Sequence, residues 1–398
     1  AEAVARESRG SPYFIAELVR HVQAGALDLD AADADPGRRL ALDDVLWSRV
    51  RRLPDDAREV LEVVALSGRP LRLVDLNGCV DEAVDGRSAL ALLRAARLVR
   101  GTGRAETDEV EAYHDRVRET VAARLAPEVS RDRHRRLANA LEASGEADPE
   151  VVGVHFLAAD EPAKAAGYFA AAADEAAEAL AFERAAALYR KAIEIGRHDD
   201  VSRATLSARL GDALANAGRG VEAASAYLDA AAGASADEAL ERRRRAAMQF
   251  LVSGHVDEGL ETLQDVLARV GMTLPRTPNR ALASLLWRRA LLRLRGLRFR
   301  ERDAADVEPE ALARIDVCWS AGVGLSVVDT IRGADFQARG LLLSLAAGEP
   351  SRVARALAME AAHAASTGGS NRRRTERLLA TAEAMARRVE HPYAVGMV

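Results

Sequence analysis

A repeated spacing of small and bulky residues constrains this chain more than any other feature of its sequence. Four segments carry a small residue, a bulky residue four positions later and a further apolar residue, alanine in three of them, three positions after that. They begin at Ala165, Ala185, Ala223 and Gly259. Small side chains let two helices approach, and the bulky side chain fills the groove between them. The last three copies lie 38 and 36 residues apart, which predicts a solenoid of helical hairpins over 150–270.

The positions of several glycines support the same interpretation. Leu210-Gly211 lies where the partner helix of a hairpin needs a small residue, and Gly218 and Gly254 precede second helices. Gly348 starts a looser copy in which Glu360 stands where a small residue is expected. We therefore expect repeats over 146–270 and degenerate repeats over 336–398. The intervening 271–335, interrupted by prolines, is expected to form an irregular helical segment.

Composition favours an all-α fold. Hydrophobic residues make up 49% of the 398 residues, but aromatics only 4%. The apolar set is dominated by alanine, the best helix former. The net charge is −5, which argues against a nucleic-acid-binding domain. No apolar run approaches the roughly 20 residues of a membrane helix, so no membrane segment is expected, and the two cysteines suit a reduced cytoplasmic chain.

The N-terminal part has a different pattern. Gly10-Ser11-Pro12 suits a helix start, and Phe14, Leu18 and Val22 form one apolar stripe. Residues 28–39 are rich in Asp, Ala and Gly and are expected to form a loop. We assign 1–40 to a small helical lid.

Residues 41–145 predict helices followed by a β-hairpin. Leu98-Val99-Arg100 and Val110 to Tyr113 flank a turn at Gly101-Thr102-Gly103. A further helix is expected from Asp115 to Leu125. This order predicts a winged-helix-like domain.

Motifs for catalysis are missing from the sequence. There is no phosphate-binding G-x-x-x-x-G-K-[ST] loop, no protein-kinase motif set and no metal-ligand spacing of His and Cys. We therefore expect no catalytic residue, no metal site and no enzymatic activity in this segment.

Two weaker motifs resemble one family. Gly10-Ser11-Pro12-Tyr13-Phe14 resembles the G-x-P segment that begins the helical lid of signal-transducing (STAND) ATPases. Ala112-Tyr113-His114-Asp115, followed by Arg118-Glu119, resembles the M-H-D-type segment that ends their winged-helix domain. The resemblance implies that Pro12 packs on the base of ATP or ADP and that His114 contacts the β-phosphate of ADP. The phosphate-binding half would lie upstream of residue 1.

Both residues also have plain structural interpretations. Pro12 suits the first position of any helix, and His114 can cap a helix or pack after a hairpin. Asp115 suits the positive end of a helix dipole.

Three functional hypotheses remain open. The order of segments resembles the C-terminal part of large bacterial serine/threonine kinases that carry a STAND-type ATPase and tetratricopeptide repeats. It also resembles ATP-binding transcription regulators of the LuxR type, and a plain protein-binding scaffold is the third. In each case the groove of the repeats would bind a protein or peptide, and self-association stays open.

Two arginine-rich stretches could suggest nucleic acid. These are Arg242 to Arg245 and Arg288 to Arg302, the second interleaved with Leu, Trp287 and Phe299. An amphipathic helix with a solvated arginine face is the preferred interpretation, and a basic docking face is the second.

Overall fold

A computed structural model of the chain describes residues 11–23, 42–81, 83–101, 108–366, 372–389 and 396, with only the backbone at 17, 21–23 and 366. The described residues form an all-α fold with one small sheet. They divide into two compact units, 1–172 with 194–197, and 173–193 with 198–398. This division does not test the five predicted segments, whose boundaries stay predictions.

The first unit begins with short helices around a three-stranded antiparallel sheet of order β1-β3-β2. Its elements are α1 (Pro12–Gln23), α2 (Leu42–Val50), α3 (Asp55–Ser67), β1 (Leu71–Arg72), α4 (Leu73–Cys79), α5 (Gly86–Ala95), β2 (Val99–Gly101), β3 (Glu109–Ala112), α6 (Asp115–Arg124), α7 (Pro127–Ser144) and α8 (Pro149–Ala158). α9 (Pro162–Glu178) and α10 (Phe182–Ile195) contribute residues to both units.

The predicted hairpin strands are confirmed. Val99 pairs with Ala112 and Gly101 with Val110 in antiparallel register. The predicted turn residues 102 and 103, like Gly10 and the loop 28–39, lie outside the described residues. The sequence pattern did not predict β1, because two residues are too short to show an alternation.

Helix α3 is the centre of the first unit. Val60, Leu61 and Val64 are at most 1% exposed, and α5, α6 and α7 pack around this helix. Arg133 of α7 also bridges the partly buried Glu59 and Glu62, at 3.0 and 3.2 Å. Apolar burial holds α5, α6 and α7 against α3, and the ion pairs of Arg133 strengthen the contact between α3 and α7.

The second unit is a succession of antiparallel helices. After α9 and α10 come α11 (Asp200–Asn216), α12 (Gly220–Ala232), α13 (Ala236–Val252), α14 (Val256–Arg269), α15 (Pro278–Arg295), a short 3₁₀ helix (Ala304–Asp306), α16 (Pro309–Val328), α17 (Thr330–Ala347), α18 (Pro350–Ser366) and α19 (Arg372–Val389). Neighbouring helices pack in sequence from α11 to α14, then α16 on α17 and α18 on α19. This is the tetratricopeptide-like helical stacking that the repeat predicted.

Gly211 explains why the repeat needs small residues. A Cβ at this position would lie 2.7 Å from ring carbons of Tyr227 in the next helix, closer than real contacts allow. Tyr227 and the flanking Ala223 and Ala230 are at most 3% exposed. The predicted contact between a small residue and the bulky residue of the following helix is therefore confirmed.

Gly348 ends α17 with a left-handed backbone, φ 78°. Residues with a Cβ rarely adopt this conformation, so glycine suits the turn. Val353 and Leu357 of α18 are buried as the repeat predicts. Glu360, which breaks the pattern, is 5% exposed and pairs with Arg289 at 2.5 Å and Arg374 at 3.0 Å.

Two of the five arginines of α15 do not lie on the solvated face that the sequence suggested, whereas Arg280, Arg293 and Arg295 are exposed. Arg288 and Arg289 face inward and pair with the buried carboxylates of Asp335 and Glu360. The expectation fails because ion pairing within the unit outweighs the usual preference for burying leucine. The predicted helix over this stretch also ends earlier than Arg302, at Arg295.

The arginines of the first stretch, Arg242 to Arg245, also make contacts within the second unit. Arg242 donates to the carbonyl of Ala230 at 2.6 Å, Arg244 pairs with Glu241, and Arg245 pairs with Asp212 at 2.7 Å. Arg242 and Arg245 thus connect neighbouring helices, whereas the Arg244 pair lies within α13.

Helix α16 has 20 residues and is long and apolar enough to cross a membrane by length and composition. This differs from the expectation that no segment approaches that length. Cys318, Ala321 and Leu325 of α16 lie in a core cluster with Phe336, and core helices pass the same test. The helix is therefore weak evidence for a membrane.

Candidate functional site

The two residues singled out by the STAND resemblance lie on neighbouring segments. The ring of Tyr13 lies 5.2 Å from that of Tyr113, and the ring of Phe14 lies 4.4 Å from that of His114, edge to face. Pro12, the first residue of α1, is exposed. The fold thus brings the G-x-P and H-D motifs together, while their contact with a nucleotide stays a prediction.

His114 caps helix α6. Its Nδ1 accepts a hydrogen bond from the backbone N–H of Arg116 at 3.2 Å, so the neutral ring carries its proton on Nε2. The ring is exposed and can donate that proton to an external oxygen. The capping interpretation is therefore correct, and it leaves a donor of the kind a phosphate needs.

A second candidate site is a cleft of about 430 Å³ in the second unit. Acidic, aromatic and amide side chains from α9, α10 and α11 surround it. They are Asp174, Glu178, Phe182, Tyr189, Arg209, Asp212 and Asn216, with Ala177 and Ala213. Helical periodicity places Glu178 one turn after Asp174, and Asn216 one turn after Asp212, on the same faces.

A Tyr–Asp–Arg contact occurs twice along this surface. Tyr189 donates to Asp174 at 2.5 Å, and Arg209 pairs with the same carboxylate at 2.7 Å. One repeat later, Tyr227 donates to Asp212 at 2.6 Å.

Arg245 completes this second copy, pairing with Asp212 at 2.7 Å. Each contact joins the two helices of one repeat to the first helix of the next. The repeated contact therefore fixes the spacing of the helices that form the cleft.

Burial raises the pKa of both tyrosines, and the neighbouring aspartates raise it further. The hydroxyls therefore remain protonated donors at neutral pH. Sequence reasoning used Tyr189 and Tyr227 but missed Asp174 and Asp212. Each aspartate lies 15 residues before its tyrosine, and that recurrence could have revealed the pairs.

Two polar side chains in the cleft are available to a ligand. Within the described part of the chain, neither Glu178 nor Asn216 has a hydrogen bond or ion-pair partner, and both are exposed. Asp174 is paired with Arg209 and Asp212 with Arg245, which leaves the cleft with the unpaired charge of Glu178. It therefore favours a cationic or amide-bearing ligand over an anionic one.

A larger cleft of about 760 Å³ lies among α13, α14, α16 and α18. Asp316 is held there by Arg352 at 2.6 Å and Arg355 at 2.7 Å. Burial alone would raise the pKa of Asp316, but the two guanidiniums outweigh it and hold the pKa below its ordinary value. The charges of Asp316, Arg352 and Arg355 therefore satisfy one another.

Other reactive groups are sparse. Burial raises the pKa of both thiols, Cys79 and Cys318, to about 12, so neither is an activated nucleophile. Among the residues described, no three His, Cys, Asp or Glu side chains come together as metal ligands do.

Comparisons with known proteins give little sequence evidence. No family model matches the chain, and no curated protein matches it. One solved structure that resembles it is a STAND protein with a tetratricopeptide repeat sensor from Pyrococcus horikoshii.

That likeness has 12% identity and a TM-score of 0.32, and it covers 99% of this chain and 64% of the other. These values are too low to carry a functional assignment. What the chain's own packing defines is a helical-repeat protein of tetratricopeptide-like build.

Proposed function

We propose that the second unit binds a protein segment in the cleft beside Glu178 and Asn216. The observation that carries this proposal is the pair of unpartnered polar side chains beside a rigid Tyr–Asp–Arg framework. The Asn216 amide can both donate to and accept from a peptide backbone. The Glu178 carboxylate attracts a lysine or arginine side chain.

A peptide array tests this binding. Synthetic 12-residue peptides with lysine or arginine at central positions, and matched peptides with glutamate there, are probed with the 398-residue chain. The cationic set should bind better. Glu178→Gln combined with Asn216→Ala should weaken that binding about 5- to 30-fold, since each of the two exposed polar contacts contributes on the order of 0.5–1 kcal/mol.

Glu261→Gln is the matched control, because Glu261 is an exposed carboxylate of the same unit outside the cleft. It should bind cationic peptides like the wild type. Equal binding of both peptide sets, or an equal loss with Glu261→Gln, would contradict the proposed cleft.

On a larger scale, we propose that this chain is the regulatory and sensor region of a STAND-type signalling ATPase fused to a serine/threonine kinase in the cytoplasm. Partner binding by the repeats would bias a winged-helix-like domain that responds to ATP and ADP. The adjacency of the Pro12 and His114 segments supports this proposal, as does the outward Nε2 proton of His114. An upstream phosphate-binding half would supply the remaining contacts to ADP.

Two alternatives keep the same module in another setting, a LuxR-type transcription regulator or a plain scaffold without nucleotide coupling. A kinase domain before residue 1 would favour the first proposal. A helix-turn-helix after residue 398 would favour the regulator.

Two substitutions at His114 distinguish its role as a helix cap from a contact with a nucleotide. His114→Ala removes the cap of α6 and should lower the free energy of unfolding of the first unit by about 1 kcal/mol. His114→Asn keeps a good cap acceptor and should leave stability nearly unchanged. In a chain that includes the upstream half, both variants should retain less ADP, because both lose the Nε2 donor.

Urea unfolding and the ADP content of the purified protein measure the two effects. If His114→Asn retains ADP like the wild type, the imidazole has no nucleotide role and serves only as a cap.

A further inference from the structure

Helix α15 buries Ala281 and Leu292 but presents a second row of apolar side chains to solvent. Leu286 is 60% exposed, Trp287 70% and Leu294 86%, while Arg288 and Arg289 face the interior. Scattered exposed leucines are ordinary on protein surfaces, but a continuous apolar helix face marks an interaction surface. We propose that this face binds an acidic amphipathic helix of a partner protein, beyond the peptide binding proposed for the cleft.

The exposed side chains form one continuous stripe. Leu282, Leu286, Ala290 and Leu294 follow one another at intervals of four residues, and all four are exposed. At 1.5 Å per residue the stripe is about 18 Å long, which matches three turns of a partner helix. Trp287 lies beside it and adds a large, rigid contact surface of the kind that dominates binding energy at interfaces.

Buried charges fix this outward orientation. The side chains of Asp335 and Glu360 are only 3% and 4% exposed. Rotating α15 to bury its leucines would remove Arg288 and Arg289 and leave both carboxylates buried without these partners. Breaking buried pairs costs several kcal/mol, and the rotation would also expose Ala281 and Leu292, which are now 0% and 4% exposed. The packing of the unit therefore keeps this apolar face of α15 exposed.

The charges around the apolar face of α15 indicate which kind of partner would bind it. Residues 271–300 contain no Asp or Glu, and the exposed arc of α15 includes Arg280 near its first turn and Arg293 near its last. A partner helix with glutamates flanking its apolar face would pair with both arginines.

The same charges disfavour self-association through this face. A second copy of this helix has no acidic residue to offer and would place arginines against arginines.

Two synthetic helical peptides of 18 residues test the proposal. Both carry the same leucine face, and one has glutamate and the other lysine on its polar face. Trp47→Phe and Trp319→Phe in the full chain leave Trp287 as the reporter, because the chain has three tryptophans. The glutamate peptide should shift Trp287 emission to the blue with saturation, and the lysine peptide should bind at least 10-fold more weakly.

Variants of the full chain test whether the leucine face binds the peptide and whether the exposed arginines determine its charge preference. Leu286→Ser with Leu294→Ser should weaken binding of the glutamate peptide at least 10-fold. Val201→Ser, at a residue of α11 that is 68% exposed, should leave it unchanged. Arg280→Glu with Arg293→Glu should reverse the preference toward the lysine peptide.

Several results would overturn the proposal. These are equal affinity for both peptides, no emission shift with either peptide, or unchanged binding in the leucine variant. A shift caused by phosphatidylserine vesicles but not by the peptide would indicate a membrane instead. Concentration-dependent dimerisation that the leucine variant abolishes, without peptide binding, would indicate a second copy.

Discussion

Arg288→Ala should lower the free energy of unfolding of the second unit by about 3 kcal/mol, at the lower end of the range for breaking a buried ion pair. Arg288 donates to Asp335 at 2.6 Å and also contacts Ser284. Asp335 is nearly inaccessible, so alanine would leave its charge buried without that compensation. The arginine is itself 21% exposed, which is why we expect the lower value.

Arg293→Ala on the same helix is the matched control. Arg293 is exposed, and its removal should change stability by less than about 0.5 kcal/mol. Urea unfolding in a Trp47→Phe background follows the second unit alone, since Trp287 and Trp319 both lie there. Equal effects of the two substitutions would show that the Asp335 pair contributes little, and would remove the argument that charges orient α15.

The orientation of α15 shows where prediction from sequence fails. Its Leu and Arg residues are interleaved, so either face could be turned inward on helical spacing alone. The face that is turned inward is determined by the carboxylates of Asp335 and Glu360, which lie 47 and 71 residues from their arginine partners in the sequence. Glu360 appeared only as a misfit in the repeat, although it is the buried partner of Arg289. A local pattern cannot reveal such a long-range partner.

The repeat itself could be predicted because its cause is local and recurs. Close helix packing requires a small residue opposite a bulky one, and Gly211 against Tyr227 shows that requirement directly. The hairpin strands also followed from a short apolar pattern. The cleft was harder to predict, because Asp174 and Asp212 resemble ordinary surface acids until the fold places a tyrosine and an arginine beside each.

A histidine pair in the first unit, of which His155 is buried and His134 half-buried, leads to a second large effect. The Nδ1 atoms of His134 and His155 lie 2.9 Å apart, so in the neutral pair one ring donates and the other accepts. Desolvation, with a smaller contribution from His134 and Arg69, lowers the pKa of His155 to about 4. Burial also lowers the pKa of His134.

Because the pKa is lowered on folding, the unfolded chain takes up protons before the folded one does. The stability supplied by neutral His155 is therefore complete above about pH 6.5 and is lost as the pH falls toward 4. A difference of 2.5 pKa units corresponds to about 3 kcal/mol over that window. The first unit should consequently be markedly less stable at pH 4.5 than at pH 7.

His155→Asn tests this directly, since it removes the titrating ring but keeps a polar group near Nδ1. Urea unfolding followed by Trp47, in a Trp287→Phe and Trp319→Phe background, measures the first unit. The variant should lose most of the change in stability between pH 7 and pH 4.5. His255→Asn, at a side chain that is 45% exposed in the second unit, should keep the wild-type change. If His155→Asn also keeps it, the acid sensitivity of this unit comes from other groups, and the histidine pair is an ordinary core contact.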